Sequence, residues 1–343
     1  MGSELAPRVL ASLARGIGFL DESATRHDAA FRSFGRDYVL CLDGIARRLP
    51  ARHADLRGLA NTTARRLASR LTASLDAGPG GSGGAEELRD ALFSLFALSR
   101  VGVPGPTLEG TLQLTGEGLL PFDLAEPPPA DAYPLPRGHP LAPLVNTRHA
   151  AWTLSLATAH ACDTLGSPSR ACASVRLPDA LRWLPSLRPY SRAEESGGYA
   201  KYHDQAYALV ALAHALSDYG RRPCARAPTD LGENLGDLGG ELSALNETVG
   251  AAIDDGDVGM AAAAADALAL CGAGANATDA VRSSAYDPAI RNAIRHVLAS
   301  QRADGGWGPA EGTGPGGLGD TQDAYAPTCS AALALASSAA LWS

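Results

Sequence analysis

The stretch DPAIRNAIRHVLASQ (287–301), followed by RADGGWGPAEGTGPGGLG (302–319) and TQDAYAPTCSAALALASSAALW (321–342), decides how this chain folds. In the first piece Ile290, Ile294, Val297 and Gln301 recur at helical spacing, and Pro288 suits a first helical turn. The second piece is too rich in Gly and Pro to continue a helix. The third is apolar nearly all round, as a helix buried on most sides must be. An amphipathic helix, a break and an apolar helix make a hairpin.

The same grammar recurs upstream at a period of roughly 50 to 60 residues. VLASLARGIGFL (9–20), with Val9, Leu13, Ile17 and Leu20 on one face, pairs with DYVLCLDGIARRL (37–49). LRGLANTTARRLASRLTASL (56–75) pairs with AEELRDALFSLFALSR (85–100) across DAGPGGSGG (76–84). The third unit has a poor outer segment and a Pro-rich excursion, residues 119–144, before TRHAAWTLSLATAHACDTL (147–165). PDALRWLPSL (178–187), weakened by two prolines, pairs with KYHDQAYALVALAHALSDY (201–219), and LGDLGGELSALNETVGAAI (235–253) with DVGMAAAAADALALCG (257–272).

Six such hairpins predict an all-α chain, a single (α/α)6 toroid domain over residues 1–343 with two concentric rings of helices. Inner helices touch neighbours on both sides and so need small apolar residues, whereas outer helices need one apolar stripe. An open superhelix would leave the apolar LALASSAALW (333–342) uncapped, so closure against the first unit is expected.

The element Gln301-Arg-Ala-Asp-Gly305-Gly-Trp307-Gly308 resembles the Q-x3-G-x-W repeat of squalene-cyclase-type proteins. Echoes are ATRHDAAFRSFGRDYVL (24–40), TGEGLLPFDL (115–124) with NTRHAAWTLSLATA (146–159), and SGGYAKYHDQAYALVALAHAL (196–216). The resemblance is to the terpene-cyclase and protein-prenyltransferase repeat superfamily. It implies that Gln301 caps a helix end and that Trp307 packs beside it. In the class II terpene cyclases of that superfamily, the central acid of a D-x-D-D-T-A motif protonates an alkene. The nearest equivalents here are Tyr202-His203-Asp204-Gln205-Ala206, where Asp204 holds the central place, and Asp320-Thr321-Gln322-Asp323-Ala324, where Gln322 replaces it. Protein prenyltransferases carry an Asp, Cys and His zinc site that finds no match in this chain.

The formal charge of −8 removes the electrostatic footprint of a nucleic-acid binder. No run of eighteen apolar residues and no signal-peptide pattern is present, so a cytoplasmic protein without a transmembrane segment is expected. Arg supplies 28 of the 29 basic residues, with Lys201 the exception, which points to a high-GC genome, and a bacterial one is expected. Cys41, Cys162, Cys172, Cys224, Cys271 and Cys329 form no CxxC pair and are expected to be small packing residues, neither zinc ligands nor a disulfide framework. No metal and no cofactor is expected. Asp254, Asp255 and Asp257 read as a charged turn and cap.

Parallel inner helices bring their N-terminal ends to one mouth. There stand Arg36, Asp37 and Tyr38; Arg148 and His149; Tyr202, His203 and Asp204; Asp257, as a cap; and Gln322, Asp323 and Tyr325. Caps explain one Asp or Thr per helix, not recurring His, Arg and Tyr. Histidine is the residue type suited to proton transfer near neutrality, and Asp204 keeps the family acid's place, so His149, His203 and Asp204 are the expected catalytic residues. Asp257 aside, the other eight are expected to bind substrate. His160 and His214 fall mid-helix and read as packing residues. The expected function is a metal-independent, terpene-cyclase-like cyclase or isomerase of natural-product metabolism, a lyase or isomerase acting on a small molecule. Alternatives are a zinc-free peptide cyclase of lanthionine type and a non-catalytic toroid that binds a ligand or peptide.

Overall fold

The computed structural model describes residues 2–26, 28–76, 85–106, 119–120, 124, 148–166, 170–191, 199–222, 224, 238–272, 279–309 and 318–342. Among them the regular structure is helical throughout, with no strand. The helices are α1 (Gly2–Arg26), α2 (Asp28–Arg48), α3 (Ala54–Asp76), α4 (Ala85–Val101), α5 (Arg148–Leu165), α6 (Arg170–Ala173), α7 (Leu177–Leu181), α8 (Tyr199–Leu216), α9 (Gly239–Asp254), α10 (Val258–Gly272), α11 (Asp279–Ala299) and α12 (Leu318–Leu341). Short 3-10 turns cover Ala51–His53 and Leu184–Leu187.

The apolar spacing translates directly into burial. Val9, Leu13, Ile17 and Leu20 of α1 are all but inaccessible, and they face α12 and α2. Helix α10 presents Ala261, Ala262, Ala264, Ala265, Ala267 and Leu268 to neighbours all round, and packs on α8, α9, α11 and α12. Alanine is what permits four helices to approach one, because a larger side chain would hold them off. Packing runs α2 on α4, α4 on α5, α5 on α8, α8 on α10 and α10 on α12, and α12 also packs on α2. Helices α1, α3, α9 and α11 pack against these from outside, each touching two of them.

Trp307 is fully buried and holds the last unit to the first. Its indole donates to the carbonyl of Val297 near the end of α11 at 2.7 Å, while its backbone N–H reaches Thr328 Oγ1 on α12 at 2.9 Å. The ring lies against α1 at Gly16, where a Cβ would stand 2.8 Å from it, so only glycine fits. Gln301 Nε2 donates to Ser12 O and Gly305 O, both at 2.9 Å, and Arg15 donates to its Oε1. The pair thus closes the α11 end and ties it to α1.

Several boundaries differ from expectation. Helix α2 starts at Asp28, not at Asp37, because Phe31 adds a buried contact under the Arg70 guanidinium, 4.2 Å away. Pro288 lies inside α11, which already begins at Asp279, and Pro327 lies inside α12. The outer partner of α8 shrinks to α7 and a 3-10 turn, since Pro178 and Pro185 interrupt it. Trp152 on α5 nevertheless anchors α7 by donating to Ala180 O at 2.7 Å. Most of the 119–144 excursion lies outside the described residues. Leu119 and Leu124 are buried, and their carbonyls accept from Arg89 and from Trp183, at 3.1 and 3.0 Å.

The cysteines overturn their sequence reading. Cys162–Cys172 and Cys224–Cys271 are disulfides, with Cα atoms 5.4 and 4.8 Å apart. Scattered spacing concealed them because the fold, not local sequence, brings the C-terminal end of α10 beside the segment after α8. Cys41 and Cys329 are unpaired. Over Asp323–Leu341, α12 is long and apolar enough to cross a membrane, but it packs on α10 and α2 as a core helix does.

Candidate functional site

Side-chain bonds show that α2, α4, α8, α10 and α12 run in parallel, since like ends meet at both extremes, and α5 joins them toward the C-terminal side through His160. Nearer the N-terminal ends, Arg36 on α2 pairs with Asp90 on α4 at 3.0 Å, and Tyr325 on α12 donates to Asp37 Oδ2 at 3.0 Å. Tyr38 stacks tilted on Tyr325, ring centroids 4.9 Å apart, and shares a hydrogen bond with Ser23 of α1. Phe34 covers the other side of Tyr325 at 5.1 Å. The early start of α2 sets these residues two turns inside the helix, not at its mouth.

Asp37 combines two properties seldom found together. Its side chain is 40% exposed, yet burial among protein atoms pushes its carboxyl above the ordinary range, against the opposing pull of Arg36 and Tyr325. Tyr207 does the same from α8: it is 42% exposed, while burial and Asp257 push its phenol up to about 12. Burial likewise pushes Tyr219 up to about 12, with Asp37 adding to the effect. Asp37 and Tyr219 therefore share one electrostatic environment. The Tyr325 phenol is raised too, by burial and by Asp37. Cys329 lies nearby with its thiol raised by Cys41 and by burial, so it stays protonated at neutral pH.

A second group gathers on α8 and α10. His203 Nε2 lies 3.0 Å from Asp257 Oδ2, and Asp257 Oδ1 caps α10 by accepting from Met260 N at 2.9 Å. Tyr207 stands edge-on to the His203 ring at 4.7 Å. Tyr202 turns outward and shares a hydrogen bond with Thr248 on α9 at 2.8 Å. His149 is lowered by burial and by the charge of Arg148, against a backbone hydrogen bond at Leu187 on the outer side. Asp204 is half-buried, Arg148 and Asp323 are exposed, and the Gln322 side chain lies outside the described residues. Gln205 is a clamp, exchanging two 3.0 Å hydrogen bonds with the Ser191 backbone.

The opposite ends of the same helices hold what sequence reading missed. Asp266 of α10, 2% exposed, accepts both Nε and Nη2 of Arg48 at 3.2 and 3.0 Å, His214 Nε2 at 3.1 Å and Ser337 Oγ at 2.6 Å. Burial would raise this carboxyl, but Arg48, His214 and Ser337 hold it down at about 2. Asp218 after α8 pairs with Arg100 at 2.5 Å and His160 at 3.1 Å. Tyr219 lies between the two histidines, 5.5 Å from His160 and 5.3 Å from His214. Asp218 and Tyr219 both have positive φ, 50° and 53°, a strained turn held by these pairings. Arg48 itself needs Gly44, where a Cβ would come within 2.6 Å of the guanidinium. Among the described residues no three His, Cys, Asp or Glu side chains gather as metal ligands would. No family model, curated protein or solved structure matches the chain.

Proposed function

We propose that the parallel helices and their outer partners form an (α/α)6 toroid of the terpene-cyclase and protein-prenyltransferase kind. In this reading the protein is a metal-independent cyclase or isomerase working by proton transfer in the enclosed space. The packing order, returning from α12 to α2, supports the toroid. Asp37 carries the functional reading. Its raised carboxyl keeps a proton to higher pH than an exposed aspartate does, as a general acid must. Tyr325 donates to Oδ2 and so orients the carboxyl, leaving Oδ1 to carry the proton inward. Tyr325 is itself flanked by the rings of Tyr38 and Phe34, so aromatic groups gather beside the acid, of the kind whose faces favour developing positive charge. His203, oriented by Asp257, is the base that would receive a proton back. The acid role thus moves from Asp204 to Asp37, and the substrate class is a small apolar alkene.

The disulfides support maturation in oxidising surroundings, in place of the reducing cytoplasm that composition suggested. They also occupy four of the six cysteines, and a peptide-thiol cyclase would still need His149 or His203 as its base. To test the reading, the wild-type protein and the Asp37→Asn variant are incubated in D2O with a panel of polyprenyl alkenes and alcohols. Deuterated cyclised or isomerised product is expected, with turnover about 10² to 10⁴ lower in Asp37→Asn. Product without deuterium, or equal turnover in the variant, would sink the assignment. Retention of ligand with no product in either protein would make the toroid a binding module.

A further inference from the structure

A cleft of about 600 Å3 opens between the end of α2, one face of α3 and the end of α4. Its walls carry Arg47, Arg57, Arg65 and Arg100 against one acid, Asp43. In a chain of net charge −8, four guanidiniums around one carboxylate run against the background. Asp43 is already engaged, since Arg47 Nε lies 2.9 and 2.8 Å from its two oxygens. Arg100 is 1% exposed, and its Nε is 3.6 Å from Asp43 Oδ2, too far for a hydrogen bond. That buried N–H meets no acceptor. Burial pulls Arg100 below its ordinary value, and the nearby Arg221 adds to this against the pull of Asp218 and Asp43.

The α3 wall repeats the pattern. Arg57, Asn61 and Arg65 follow at i, i+4 and i+8, so they share one helix face over about 12 Å. Arg57 and Arg65 are exposed, and neither meets a carboxylate or an acceptor among the described residues. Between them Gly58 leaves the wall open, with nothing within 4 Å of where a Cβ would stand. Guanidinium groups bind phosphoryl and carboxylate oxygens through paired N–H bonds, and cationic groups on two facing walls suit a ligand with charge at both ends.

We propose that this cleft binds a small polyanion with at least two phosphoryl or carboxylate groups, gripped between Arg57 and Arg65 on one wall and Arg47 on the other, with Arg100, whose Nη groups are held by Asp218, adding charge behind that wall. The volume is that of a small-molecule site. It lies at the end of the helices away from Asp37, and the proposal does not depend on the cyclase reading.

Calorimetric titration of the full chain with tripolyphosphate and with citrate at about 0.15 M salt tests this. Binding of one ligand per chain is expected, tripolyphosphate identifying the phosphoryl class and citrate the carboxylate class. The Arg57→Gln/Arg65→Gln variant should bind at least about tenfold more weakly, as the loss of two charge-assisted hydrogen bonds predicts. Both side chains are exposed and unpartnered, so its circular dichroism and unfolding midpoint should match wild type. Arg8→Gln/Arg295→Gln removes the same charge elsewhere on the exposed surface and should leave affinity unchanged. Three results would overturn the proposal: no binding of either anion, equal weakening in the two double variants, or unchanged affinity in Arg57→Gln/Arg65→Gln. Tighter binding of a hexaglutamate peptide than of either small anion would overturn its choice of ligand class.

Discussion

The two ends of the parallel helices are built from the same residue types and treat them in opposite ways. At the C-terminal ends the described acids are surrounded: buried Asp266 has Arg48, His214 and Ser337, buried Asp43 has Arg47, and half-buried Asp218 has Arg100 and His160. Both disulfides also fasten this end, joining the close of α5 to α6 and the close of α10 to the segment after α8. Toward the N-terminal ends Asp37 is left enclosed but incompletely neutralised, with Arg36 at 3.8 Å and one tyrosine hydroxyl. The direction of the carboxyl shift records the difference, down at Asp266 and up at Asp37. Saturated acids hold a fold together, whereas an under-compensated one stores reactivity at a cost in stability.

The largest effect should come from breaking the saturated end. Asp266→Asn leaves Arg48 buried without its counter-charge, and should cost about 3 to 5 kcal/mol in urea unfolding at neutral pH. The sign with pH follows from a folded carboxyl held at about 2. Its contribution is full above the unfolded carboxylate value, and fades as pH falls from about 4 toward 2. An Asp266→Asn midpoint equal to wild type would show that the network is ornamental.

Opening Cys224–Cys271 by the Cys224→Ser/Cys271→Ser double substitution should come next. The bridge spans 47 residues of chain, and its loss should lower stability by about 2 to 4 kcal/mol. Mass spectrometry of the wild-type protein under denaturing, non-reducing conditions should find two free thiols, those of Cys41 and Cys329; six would refute both bridges.

The smallest effect has the opposite sign. Asp37→Asn removes a carboxylate that the folded state resists ionising, so the urea midpoint should rise slightly at neutral pH. Exposure of the side chain keeps the gain small. Because the folded carboxyl is raised, the gain should disappear below the ordinary carboxylate range and develop as pH climbs through it. A midpoint that drops at neutral pH would mean that Asp37 is structural, and the contrast between the ends would fail.

Helix placement was legible because burial on one stripe or on all sides writes itself into spacing, as in Val9, Leu13, Ile17 and Leu20 or in the alanines of α10. The roles of Gln301 and Trp307 were what the resemblance to the Q-x3-G-x-W repeat implied, and both side chains do bond close along the chain, Trp307 to Val297 and Gln301 to Gly305. Long-range pairing left no such trace. His160 and His214 read as packing residues because their aspartates stand 58 and 52 positions away. The sequence alone therefore determined that the chain is helical and which helices would carry small apolar residues on most sides. Only the tertiary structure decided that Asp37 would be enclosed and raised, that Asp266 would be held down, and that four scattered cysteines would pair. Helix formation depends on contacts a turn apart, whereas a carboxyl's proton and a disulfide depend on which distant side chains the packing sets beside them.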